Sequence, residues 1–170
     1  MNSRFFSHRI AISMMAAMLA TSVGPFCAAS VEAQSRFRAI EVDVSPLREG
    51  GAADAADLIA RELPPLLQKS FAAHLVPGDR AAPILRARID FVTLGMEGSA
   101  GGPHSIMAAD FIEGAGVVIG AGGRVIASYP LLSNLTAAVP FNDVGGEGNR
   151  LRISNLESSF AQWLPGKMGL

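Results

Sequence analysis

The stretch FIEGAGVVIGAGGRVIAS, residues 111–128, decides the fold. Phe111 to Ile119 and the arm that opens at Arg124 are rich in β-branched and apolar residues. They flank Gly120-Ala121-Gly122-Gly123, whose glycines reach positive φ at little cost. An antiparallel hairpin is predicted. Pro130 lies in its second arm and cannot donate to a ladder, which calls for an edge strand, a bulge, or an end near Tyr129.

Working outward, Phe37 to Ser45 places Ile40, Val42 and Val44 on one face and Glu41 and Asp43 on the other, the period of a strand buried on one side. Pro46 is expected to end it. From Ala52 to Leu75 the apolar residues Ile59, Leu63, Leu66 or Leu67, Phe71 and Leu75 recur at helical spacing. Pro64-Pro65 interrupts that run without changing its phase, so a kinked helix is expected, or two short ones restarting at Pro64. After a turn at Val76 to Asp79, Pro83 to Leu94 sets Leu85, Ala87, Ile89 and Phe91 against Arg86, Arg88 and Asp90, a second strand. Residues 95–109 and 140–149 are polar and glycine-rich and read as loops.

A closing helix carries Ile153, Leu156, Phe160, Trp163 and Leu164 on one stripe. Ser154-Asn155-Leu156-Glu157 fits a capping box near its start, the alternative being a period that begins nearer Arg150, and Pro165-Gly166 supplies a stop. The order is β-α-β-β-β-α. It predicts an α+β two-layer sandwich, a small and mostly antiparallel sheet with helices on one face, where Leu63, Leu67, Phe71, Phe160 and Trp163 are buried.

The first 33 residues read as an export signal. Arg4, His8 and Arg9 make a positive opening, Ile10 to Val23 is apolar, and Val31-Glu32-Ala33 offers the small residues a signal peptidase requires. Cleavage is expected after Ala33, leaving residues 34–170 as one domain. Cys27, the only cysteine of the 170 residues, is preceded by Pro25-Phe26 in place of the small residue that lipidation needs. The mature chain then has no thiol for disulfides, nucleophilic catalysis or metal ligation. Its 12 basic and 14 acidic side chains are interspersed, so no basic stripe points to nucleic acid or an anionic membrane.

No catalytic, cofactor-binding or metal-binding residue emerges. Gly114-Ala115-Gly116 with Gly120 has the outline of a dinucleotide-binding turn, but Val117-Val118-Ile119 favours a strand and another turn follows in place of a helix. These glycines suit a crossing helix or a bulge better. His104, Ser105, Asp110 and Glu113 lie close together, yet their spacing matches no ligand motif. Glu97 to Gly101 lacks the glycine of a nucleophile elbow. His74 suits the last carbonyls of the first helix. Arg86, Arg88 and Arg124 form either a small anion-binding face or pairs with neighbours such as Asp90 and Glu113. Asn134-Leu135-Thr136 reads as ordinary strand.

With its hairpin Gly116 to Ala127 and its strand-helix-strand-hairpin order, the segment Phe37 to Ala138 resembles small exported accessory proteins of the bacterial envelope, such as the auxiliary lipoproteins of ABC-type transport systems. The resemblance implies a noncatalytic role supporting an envelope assembly and carries over no functional residue. It departs at the acylated cysteine. The first expectation is therefore a periplasmic or secreted binding module that meets another envelope protein through a sheet edge or the 95–109 loop. The alternatives are a small hydrolase or metal-dependent enzyme using His104, Asp110 and Glu113, or a purely structural envelope protein. Mass spectrometry of the exported protein is expected to find Gln34 at its N-terminus and no diacylglyceryl group on Cys27. An intact N-terminus in the membrane fraction would overturn that expectation.

Overall fold

A computed structural model describes residues 36–95, 109–136 and 147–170. The export segment, the cleavage site, Cys27 and most of the two glycine-rich stretches lie outside the described residues. Four strands form one sheet: β1 (Ala39–Asp43), β2 (Ile84–Thr93), β3 (Ala109–Ile119) and β4 (Val125–Thr136), in that spatial order. β1 runs parallel to β2, and β2, β3 and β4 are antiparallel in succession. The parallel pair needs a crossover, which helices α1 (Ser45–Glu49) and α2 (Ala53–Ser70) supply. Helix α3 (Glu147–Met168) closes the chain. The expected α+β architecture is observed, with the helices on one sheet face.

The hairpin forms where its sequence places it. Gly122 and Gly123 both take φ 79°, the left-handed region that a side chain disfavours. Pro130 sits opposite Ala115 on β4, an edge strand, as its missing N–H requires. The two strand glycines have separate uses. A Cβ on Gly116 would lie 2.9 Å from Leu164 Cδ1, so this position lets α3 cross β3 closely. A Cβ on Gly114 would meet the Arg88 carbonyl oxygen of β2, so here the bareness serves strand against strand.

Between the sheet and the helices, Leu85, Ala87, Ile89, Ile112 and Val118 pack with Ile59, Leu63, Leu67, Phe71, Leu156, Phe160 and Leu164. Phe37 joins them beyond the end of β1, edge-on to Phe71 at 5.9 Å, and forms a single bridge to Leu75. Each such side chain contributes about 1.5–3 kcal/mol by leaving water. Helix α2 runs unbroken through Pro64 and Pro65, which leave the carbonyls of Ala60 and Arg61 without helical donors. Both residues are exposed, so water can serve those carbonyls.

Five local expectations are corrected. Pro46 does not merely end β1; it occupies the first turn of α1, where a proline has no helical bond to lose. Phe91 does not face the core, because the β2–β3 register slips between Ile89 and Phe91 and a bulge at Asp90 turns the following residues over. Val92 takes the core side in its place. Ser154 to Glu157 is no cap, since α3 begins at Glu147, two turns earlier. Pro165-Gly166 does not stop α3. The helix ends in a Schellman arrangement at Gly169, φ 79°, with Leu170 N–H donating to Pro165 O and Gly169 N–H to Gly166 O. Trp163 is 44% exposed, because Phe160 and Leu164 hold the centre of the buried stripe and Trp163 falls on its flank.

Phe160→Ala is expected to cost about 3–5 kcal/mol in chemical denaturation, the range for emptying a core aromatic site. Gly116→Ala is expected to cost about 1–3 kcal/mol by pushing Leu164 off β3. An unchanged midpoint in both variants would mean that α3 is not docked on the sheet.

Candidate functional site

Of the residues grouped with His104, the described pair Asp110 and Glu113 does not come together. His104, Ser105 and Glu97 to Gly101 lie outside the described residues. Asp110 and Glu113, three positions apart on β3, fall on opposite faces: Asp110 is buried on the helix side and Glu113 is exposed on the other. Asp110 is moreover committed. Its carboxylate accepts from Arg152 Nε at 2.7 Å, from Arg152 Nη2, and from the Gly95 N–H at 2.9 Å, while Arg152 Nη2 also donates to the Gly95 carbonyl at 2.6 Å. The Asp110 hydrogen bond raises the Arg152 pKa against the opposing cost of its burial. This is a structural ion pair joining β2, β3 and α3, not an acid–base or metal-ligating group. The partners lie 42 positions apart, which hid the pair from sequence reading.

The arginine face is likewise satisfied in large part. Arg86 donates to Glu41 Oε2 through Nε at 3.1 Å and Nη2 at 2.8 Å, joining β2 to β1, and Arg88 pairs with Asp90 at 2.7 Å. The expected Asp90 pairing is present; Arg86 has chosen Glu41 rather than Glu113. Arg124 is exposed beside the hairpin turn, away from the β1–β2 pairs. No phosphate cradle exists at Gly114 to Gly120, which is continuous strand followed by a single 3₁₀ turn. His74 stands on a 3₁₀ turn after α2, its ring edge-on to Phe71 at 6.5 Å. Asn134 to Thr136 is the end of β4.

On the sheet face turned away from the helices, exposed apolar side chains flank Glu113 of β3, which stands opposite Phe91 of β2 and Leu132 of β4. Phe91, 49% exposed, packs on Phe111 with ring centroids 5.8 Å apart. Leu132 is 58% exposed and Ile126 45%. The β1–β2 half carries the Glu41, Arg86, Arg88 and Asp90 charges. The bulge at Asp90 is what moves Phe91 to this face, and strict alternation could not reveal it.

The second feature missed by sequence reading is Glu157. It is fully buried on the α3 face that meets α2 and the sheet, and neither carboxylate oxygen has a hydrogen-bond partner among the described residues. Burial pushes its pKa up to about 8; Glu62 on α2 adds to the rise and Arg61 opposes it. Glu62 itself accepts from Arg150 at 2.9 Å and from Arg61 at 3.4 Å, and it lines a cleft of about 240 Å³ with Glu147, Arg150, Leu151 and Ser154. The signal was there: Glu157 follows Ile153 by four residues and precedes Phe160 by three, inside the apolar stripe.

Among the described residues no group of three or more His, Cys, Asp or Glu could hold a metal, and no helix is long and apolar enough to cross a membrane. No family model matches the chain, and no curated protein matches it in sequence.

Arg152→Met alone is expected to cost about 3–5 kcal/mol, because it strands the Asp110 carboxylate without its cation. The double variant Asp110→Leu/Arg152→Met is expected to recover most of that loss. Equal destabilisation of the single and double variants in urea titrations would remove the ion pair as the cause.

Proposed function

We infer that this chain is an exported, noncatalytic accessory module of the bacterial envelope that takes a protein partner by strand addition along β4. One observation carries the reading. β4 spans 12 residues at the sheet edge, VIASYPLLSNLT, and holds no charged side chain. Proteins commonly blunt such edges with charges, bulges or short strands, because the unpaired backbone groups recruit other chains. β1, the opposite edge, follows that practice: it has five residues, two of them acidic, with Glu41 bridged to Arg86. On β4 the restraint is limited to Pro130 and the bulge at Ile126 near the turn.

An added strand would gain main-chain hydrogen bonds from β4 and apolar cover from the face beside it. Pro130 marks the phase whose N–H would point away from β3, which gives residues 128, 132 and 134 outward N–H groups. Leu132 on β4 then offers an apolar contact to alternate side chains of the incoming strand, with Phe111 one strand further in. Location in the envelope is supported by the export pattern of the first 33 residues, and the noncatalytic character by the engagement of Asp110 with Arg152.

Ser128 is exposed, and Ser128→Pro removes one outward N–H while sparing the core. A photo-crosslinker at Asn134 in the native envelope is expected to capture a partner that the same probe at Ser158, exposed on α3, does not reach. Ser128→Pro is expected to reduce that capture at least about tenfold with an unchanged unfolding midpoint. Capture insensitive to Ser128→Pro, or equal from Ser158, would overturn strand addition.

A further inference from the structure

We propose that the α2–α3 contact is a proton-controlled latch, in which Glu157 as a neutral carboxylic acid keeps α3 seated and its loss of the proton drives that helix off α2 and the sheet. The geometry supplies both conditions. Glu157 has no solvent exposure and no hydrogen-bond partner for either oxygen among the described residues, so an ionised carboxylate there would be a buried, unpaired charge. On α2 the groups that act on it are Glu62, which repels it, and Arg61, whose side chain lies mostly in water and attracts it weakly.

Among the described residues, Arg61 is the one cation that bears on Glu157. On α3 itself Arg150 is bonded to Glu62 and Arg152 to Asp110. From the sheet, the ionisable groups on the helix side are Asp110 of β3, held by Arg152, and Tyr129 of β4. The release is local because α3 has an independent anchor: the Arg152–Asp110 pair fixes its first turns, while Glu157 sits between that anchor and the Phe160–Leu164 contacts. The latch depends on the fold alone and not on strand addition at β4.

The direction follows from linkage. When α3 opens, Glu157 returns to a carboxyl of ordinary acidity, so the open form loses its proton at a lower pH than the closed form. Closure is therefore undisturbed below about pH 4.5. It weakens about tenfold per pH unit above that and levels off near pH 8, where the closed form also ionises.

Amide hydrogen exchange, corrected for intrinsic rates, tests this on the whole chain. Between about pH 5 and about pH 8, protection at residues 156–164 is expected to fall by two to three orders of magnitude, with β2 and β3 amides holding theirs. Glu157→Gln is expected to abolish the fall. Glu62→Gln, which removes the repelling charge, is expected to end the fall at a lower pH. Should Glu157→Gln not fold, the carboxyl carbon of Glu157 can be titrated by NMR in the unaltered protein, where a midpoint near 8 is expected. Flat protection across the range, an equal fall in sheet and helix, a fall retained in Glu157→Gln, or an ordinary carboxyl midpoint would each overturn the latch.

Discussion

The Arg152–Asp110 pair is the constraint on which the arrangement of the layers depends. A guanidinium and a carboxylate withdrawn from water are costly, and the cost is met only if their hydrogen bonds are made in good geometry. Here Arg152 spends its donors on Asp110 and on the Gly95 carbonyl, and Asp110 accepts the Gly95 N–H in return. Three segments are thereby fixed at one point: the chain leaving β2, the start of β3, and the first turns of α3. Apolar contacts would tolerate some sliding of α3 along the sheet, but this pair does not. With its start pinned, the helix reaches Gly116 in the register that sets Leu164 over a position with no side chain. The Ser133–Ser159 hydrogen bond, 2.8 Å and buried, ties the same helix to β4.

What could be read from the sequence was whatever depends on local period and local backbone freedom. The hairpin at Gly120 to Gly123, the amphipathic α2 and the edge position of Pro130 all follow from residues within a few places of one another. What could not be read depends on partners distant in the chain or on a single slip of phase. The bulge at Asp90 reverses Phe91 because one extra residue in a period of two exchanges the faces, and no residue type near it announces the insertion. Trp163 and Glu157 departed from their readings for a related reason. Hydrophobicity placed the tryptophan inside and a capping motif placed the glutamate at the helix start, whereas the angular position set by Ile153, Phe160 and Leu164 decided the matter. A proline misled where a later cap took over its effect, at Pro165.

The two edges of the sheet show that the charged residues are distributed with a purpose that composition alone conceals. β1 is short, acidic and braced by Arg86, so an incoming chain would meet charge and little length. β4 is long and uncharged, and beside it lies the half of the outer face that carries Phe91, Phe111 and Leu132. An unprotected edge next to an exposed apolar face risks aggregation in a free protein. Its presence beside a well-protected edge favours a surface kept open for use over one left open by neglect.

Arg152 and Glu157, five positions apart on one helix, present the same problem and receive opposite solutions. Each is an ionisable side chain taken out of water among apolar neighbours. Arg152 keeps its charge because its carboxylate partner is buried with it, and the hydrogen bond to that partner raises its pKa. Glu157 has no hydrogen-bond partner among the described residues, and Glu62 repels it more than Arg61 attracts it, so the low-energy form is the protonated acid. A leucine there would cover the same area without that burden, and a glutamine would keep the shape without the proton. Retaining a glutamate makes the seat of α3 depend on proton activity, and the ion pair beside it keeps that dependence confined to one part of the helix.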